Sequence, residues 1–268
     1  MTGITVSIIM GILIVFGGMA VLGIVSVRKV KNAEDFVVGG KRASSVMVAG
    51  AILCSIVGSG TTIGTAQTAF TYGLVGWWQS LGQTIGLFIL GCLLSQFIYK
   101  LTKAQTISQV LSHTYGKKIV AVTALFSSLA IFFSILSQSK GFIPLLTSIF
   151  AISDYAAAFI CFALVCLFVV FGGIFANSIG GLLKMAIIYI GVVASAVIAM
   201  AAVGGFSGIT QTLGSGVWNM MARSNAENGH FYDIGIAVGF MLGVLVTQAY
   251  IQGVLSAKDA KAARNGCI

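Results

Sequence analysis

Between Ala49 and Gly64 the chain reads AGAILCSIVGSGTTIG, apolar enough for a membrane interior yet interrupted by Gly58-Ser59-Gly60-Thr61-Thr62. This predicts a helix that breaks at membrane depth. Lipid cannot satisfy the N–H and C=O groups a break releases, so such backbone is tolerated only where it is buried in protein or lines a polar cavity. The break is therefore a candidate binding site. The same residues have a second use, because Gly60-x-x-x-Gly64 is also the spacing by which two membrane helices pack closely. Lys184 and Lys140 are the other residues of interest. A lysine in hydrocarbon costs about 2.5 kcal/mol or more unless it reaches the headgroups or lines a cavity. Lys184 stands two residues past an expected turn, from which it can snorkel to the inner headgroups; Lys140, beside Gln138 and Ser139, reads as a polar cluster near the outer face. Enzymatic chemistry finds no footing. His113 and His230 lie far apart, the six acids fall almost entirely in loops, and the spans hold no paired carboxylates, metal constellation or nucleophile motif. Cys54, Cys92, Cys161 and Cys166 sit in apolar runs and Cys267 near the end, without CxxC or Cys/His spacing, as ordinary small core residues do.

The elements that must carry these residues are membrane helices. Of 268 residues, 58% are hydrophobic and 8% charged, far from the roughly one-quarter charged of soluble domains. At roughly 20 residues per span the chain predicts an all-α integral membrane protein with about seven transmembrane helices. Gly3–Val27 is an uncharged first span, followed at once by Arg28, Lys29 and Lys31; a signal peptide would carry its charge before the apolar stretch. Residues 43–99 supply two spans with a turn near Thr71-Tyr72-Gly73. Thr106–Tyr115, with Ile107, Val110, Leu111 and Tyr115 on one face and Gly116 as C-cap, predicts a short helix on the membrane surface. Ile119–Ile152, holding Lys140 and Pro144, predicts one long kinked helix. Residues 155–170 return, Phe171–Gly181 predicts a turn, Leu182–Val203 crosses again, and 204–233 is a polar outer loop. Ile234–Ala257 is the last span, with Gly235, Gly239 and Gly243 forming a bare face suited to close packing.

The net charge of +9 is distributed between apolar runs and forms no patch, so it reports topology and no nucleic-acid partner. With the N-terminus outside, the inner segments collect twelve of the 15 basic residues: Arg28, Lys29, Lys31, Lys41 and Arg42, then Lys100, Lys103, Lys117 and Lys118, then Lys258, Lys261 and Arg264. The positive-inside rule thus predicts a multi-pass plasma-membrane protein with its C-terminus in the cytoplasm.

Five segments, in order, resemble the sodium:solute symporter family. Ala33–Lys41 (AEDFVVGGK) resembles the family's segment before the first core helix, and Tyr72–Trp78 (YGLVGWW) its aromatic lead-in to the second. Thr106-Ile107-Ser108 through Tyr115-Gly116-Lys117 resembles the surface helix that follows, and Gly172-Gly173 the glycine pair before the fifth. Tyr250-Ile251-Gln252 with 257–264 (AKDAKAAR) resembles the end of the sixth and its basic exit. The resemblance implies a leucine-transporter-type fold of inverted five-helix repeats, here an extra N-terminal helix, core helices 1–6, a first repeat over 43–203 and the first helix of a second repeat over 234–257. It implies cation-coupled, alternating-access symport of a small organic solute, with no cofactor beyond Na+ as coupling ion. The implied substrate residues are Gly58, Ser59, Gly60 and Thr61, joined by Gln79, Ser80 and Gln83, whose other reading is helix-to-helix hydrogen bonding. Backbone carbonyls of Cys54 and Val57 would form half of a sodium site, oxygen ligands suiting a hard cation. The chain departs from the family pattern where an acidic residue is usual, at Gly181, and three positions on, at Lys184, whose ammonium would occupy or repel the cation site and imply proton-coupled or uncoupled transport. An aromatic gate position falls at Gly243. Without a complete second repeat, the chain is expected to be truncated and inactive alone. A transporter-like sensor module, or a passive channel, is the rival reading.

Overall fold

The computed structural model describes residues 32–100, 104–225 and 228–268, with isolated helical positions between 10 and 21; at positions 33, 167–172 and 175–176 it describes the backbone alone. Most of the predicted first span, Gly3–Val27, lies outside the described residues. The described chain is 86% helical without a named strand, an all-α membrane fold. By length and composition three stretches qualify as spans, Gly60–Lys100, Lys118–Phe150 and Asn177–Val203, and a bent pair, Tyr232–Val246 with Gln248–Leu255, makes a fourth.

Short capped helices set the frame. Helix α1 (Ala33–Val38) starts on Asn32, whose side chain accepts from Asp35 N–H, and α2 (Ser45–Ile56) starts on Ser44, which accepts from Met47 N–H. After a break at Val57–Ser59 a π-helical turn, Gly60–Gly64, leads into α3 (Thr65–Tyr72). A tight turn at Gly73–Gly76 separates α3 from α4 (Trp77–Ile89), which continues through a π-turn at Leu90–Leu94 into α5 (Ser95–Lys100). The predicted surface helix is α6 (Ile107–Tyr115), capped by Thr106 and closed by Gly116, with Ile107 and Val110 buried but Tyr115 exposed. The long helix expected over Ile119–Ile152 is α7 (Lys118–Phe150), which remains helical through Pro144, where a kink was expected.

Three expectations fail in informative ways. The turn predicted over Phe171–Gly181 contracts to one residue: α8 (Asp154–Val203) leaves helical geometry only at Gly173, with φ 58° and ψ 179°, and Ile174–Gly181 is helical. The outer loop contains a helix, α9 (Gly205–Leu213). The last span is two helices, α10 (Tyr232–Val246) and α11 (Gln248–Leu255), bent by 45° at Thr247. A final helix, α12 (Ala260–Cys267), is capped by Asp259, whose carboxylate accepts from Ala262 N–H at 2.6 Å.

Two helix pairs position the site. Helix α2 lies along α8, and α4 lies along α10. Both contacts use small residues so that backbones can meet by van der Waals packing, the force that remains when lipid is as apolar as leucine. Gly181 touches Gly50 so closely that a Cβ would stand 1.9 Å from the Gly50 carbonyl oxygen. In the second pair the glycines are Gly82 and Gly86 of α4, against Ala237 and Met241. Gly235, Gly239 and Gly243, expected to pack, meet nothing within 4 Å at their Cβ positions. The buried core, including Val38, Val48, Ile52, Leu90, Val254 and Leu255, gathers where α1, α2, α11 and α12 meet. There Ala43 N–H donates to Ser256 O at 3.0 Å, and Lys258 N–H donates back to Ala43 O at 2.9 Å.

Candidate functional site

The break in α2 can be followed bond by bond. In an unbroken helix the Cys54 carbonyl would accept from Gly58 N–H, but that N–H turns to Ile56 O at 3.1 Å. The Cys54 carbonyl is thereby released, and Lys184 Nζ donates to it at 3.2 Å. Gly60 N–H, freed in the same way, donates to Gln138 Oε1 at 3.2 Å, and Ser59 Oγ donates to the same oxygen at 2.8 Å. Thr61 Oγ1 covers Ile56 O at 2.6 Å, while Thr62 N–H and Oγ1 both reach Gly58 O, where the i to i+4 pattern resumes. The break predicted over Gly58–Thr62 therefore opens at Val57, whose ψ of 88° leaves the helix. Its freed groups are satisfied by side chains from α7 and α8, as a low-dielectric interior requires.

One face of α8 makes this possible. Asn177, Ser178, Gly181 and Lys184 recur at helical spacing toward α2. Asn177 Oδ1 accepts from the Cys54 thiol at 3.4 Å, Ser178 is buried, Gly181 gives the close approach, and Lys184 reaches over it to the carbonyl. Because the turn is at Gly173, Lys184 stands roughly 15 Å into the helix at 1.5 Å per residue. Its ammonium meets protein backbone there.

A cavity of about 1140 Å³ opens beside the break. Cys54 and Ser55 from α2, Gly58 and Ser59 from the break, Gln138 and Phe142 from α7, and Lys184 from α8 line it, as do Thr247 at the second break and Gln248 and Tyr250 of α11. The two broken helices thus face one space. Of the remaining predicted residues, Gln83 is buried and lines a separate cavity of about 490 Å³ with Gly239, Gly243, Thr247 and Tyr250. Gly60, Thr61, Gln79 and Ser80 line neither cavity, and Val57 stands at the break itself without lining the larger one.

Two functional features were missed from the sequence. Gln138, assigned to a polar cluster near the outer face, accepts from Gly60 N–H and Ser59 Oγ and so shares with Lys184 in satisfying the break. Its local signal is weak, a glutamine among polar neighbours 79 positions from Ser59. The bend at Thr247 had a readable signal: Thr247-Gln248 is a polar pair inside an uncharged apolar run. Thr247 Oγ1 accordingly bonds back to Gly243 O at 2.6 Å, and Gln248 Oε1 accepts from Ile107 N–H at 2.7 Å.

The described residues form an all-α membrane bundle whose two broken helices face a common cavity, the arrangement in which membrane transporters hold a solute. The sequence matches the profile of the sodium:solute symporter family over residues 36–268, and the chain belongs to that family. Among curated proteins nothing matches significantly. Family membership makes the protein a multi-pass membrane protein whose partner is a small-molecule solute.

Proposed function

We propose that this chain belongs to a solute symporter in which the Lys184 ammonium takes the place of the coupling sodium ion. The observation that carries the reading is the 3.2 Å bond from Lys184 Nζ to Cys54 O. A sodium ion would be held by carbonyl lone pairs, and an ammonium on the same oxygen uses that lone pair and repels a second cation. A proton carried by Lys184 would then do what sodium does in the implied template: charged, the side chain holds α8 to the break; neutral, it releases the Cys54 carbonyl. The titratable groups sharing the cavity are Cys54, Cys161 and Tyr250. Sodium coupling through the Cys54 and Val57 carbonyls is the second reading, supported by the family's character; it requires Lys184 to swing away.

On the same reading Gly58 and Ser59 contact solute directly, while Gly60, Thr61, Gln79, Ser80 and Gln83 act when the helices move. The helix ends that carry Lys41, Arg42, Lys100, Lys258, Lys261 and Arg264 face the cytoplasm on this reading. Uptake is measured in proteoliposomes with imposed gradients. Proton-driven uptake indifferent to replacing sodium by choline, and lost in Lys184→Met, is expected. Sodium-driven uptake unchanged in Lys184→Met overturns the proposal.

A further inference from the structure

The large cavity contains a positive charge without a negative one. Lys184 lines it, and among the described residues that line it there is no Asp or Glu. Cys54 is not placed to supply the missing charge: its sulfur lies 3.4 Å from Asn177 Oδ1, an acceptor oxygen that a thiol can bond to and that would repel a thiolate. The Cys54 carbonyl satisfies one of three ammonium hydrogens with a dipole. The rest of the wall is chiefly apolar, with Phe97, Phe126, Phe142 and Tyr250 among its larger side chains and Ser127, Ser134 and Ser139 as neutral hydroxyls. An uncompensated cation in such a setting is costly, and the compensation that the described lining residues do not supply can come from the cargo.

From this juxtaposition we infer that the solute is an organic carboxylate with an apolar, aromatic-sized body, whose carboxylate pairs with the Lys184 ammonium while its body lies against the phenylalanine wall. The inference rests on the reading of Lys184 as the resident cation of the site. It adds that the same ammonium serves two partners, the Cys54 carbonyl and the solute anion. Proton and anion then cross together as a neutral pair. A cationic amine would meet repulsion, and a sugar would leave the ammonium unpaired.

Three probes of one shape separate the possibilities: 3-phenylpropanoate, 3-phenylpropanamide and 3-phenylpropylamine, titrated against the purified 268-residue chain in lipid nanodiscs at pH 6. The expected result is binding of the carboxylate about tenfold or more tighter than the amide, the size of one charge-assisted hydrogen bond. In Lys184→Met that preference disappears, and in Lys184→Arg it is kept. Equal binding of carboxylate and amide, preference for the amine, or no binding of any probe at its solubility limit overturns the inference. Proton-driven, Lys184-dependent uptake of an uncharged solute would overturn it as well while leaving the coupling reading intact.

Discussion

Asp233 is fully buried, and each of its oxygens is used. Arg223 Nε donates to Oδ1 at 2.8 Å, while Arg223 N–H and Ser224 Oγ donate to Oδ2 at 3.1 and 3.0 Å. The guanidinium lies between the rings of Tyr72 and Tyr232, 5.7 and 5.6 Å from their centroids. Removing one member of such a pair strands the other, which costs about 3–5 kcal/mol, whereas replacing both with apolar residues can be nearly neutral. Asp233→Ala is therefore expected to lower the unfolding midpoint in detergent sharply, and Arg223→Met/Asp233→Leu to recover most of the loss. A double variant as unstable as the single one would show that the pair does more than compensate its own charges. At this scale the sequence displayed which residues were costly but not what relieved them. Lys184 stood out because lysine is expensive in hydrocarbon; its partner is a backbone carbonyl 130 positions away, and carbonyls have no signature in a sequence.

Elements were legible where their cause was local. The break at Gly58, the α6 helix with its Thr106 and Gly116 caps, and the continuous α7 each follow from residue types at short spacing. What failed depended on a neighbour. The Gly235, Gly239 and Gly243 stripe looked like a packing face, but α4 brings its own glycines to α10, and one small residue per contact suffices. Gly181 gave the opposite lesson: at a position where the resemblance led to an expected acidic residue, a Cβ has no room, because it would fall 1.9 Å from Gly50 O and 2.9 Å from Cys54 Cβ. Gly181→Ala should push α8 off α2 at the cost of overpacking, about 1–3 kcal/mol, and loosen the hold of Lys184 on Cys54. Gly191→Ala, in the same helix with nothing within 4 Å, should be neutral or slightly stabilising. Thermal melts of the two variants side by side check this. Equal melting temperatures would mean that α2 and α8 are not in register as described.

Across the whole molecule one helix measures the membrane. From Trp77 to Lys100 the chain rises roughly 36 Å at 1.5 Å per residue, slightly more than the roughly 30 Å hydrocarbon layer. Each end is anchored. Trp78 Nε1 donates to Met220 O at 2.5 Å, in the segment that also holds Arg223, while Tyr99 Oη donates to Lys258 O at 2.8 Å, beside the backbone bonds that tie Ala43 to Ser256 and Lys258. Thus residues far apart in sequence are sorted to opposite faces. The basic residues of the Lys258 end include Lys41, Arg42, Lys100, Lys258, Lys261 and Arg264, and the positive-inside rule assigns that end to the cytoplasm. Asn219 and Lys258 are both exposed and mark the two faces. In intact cells, Asn219→Cys should react with a membrane-impermeant maleimide added outside. Lys258→Cys should react only after permeabilisation, with the unsubstituted chain reporting the background of its own cysteines. The reverse pattern would invert the protein and place the core around Val254 and Leu255 on the outer side. Labelling of both positions from outside would show that the Trp77–Lys100 helix does not span the bilayer.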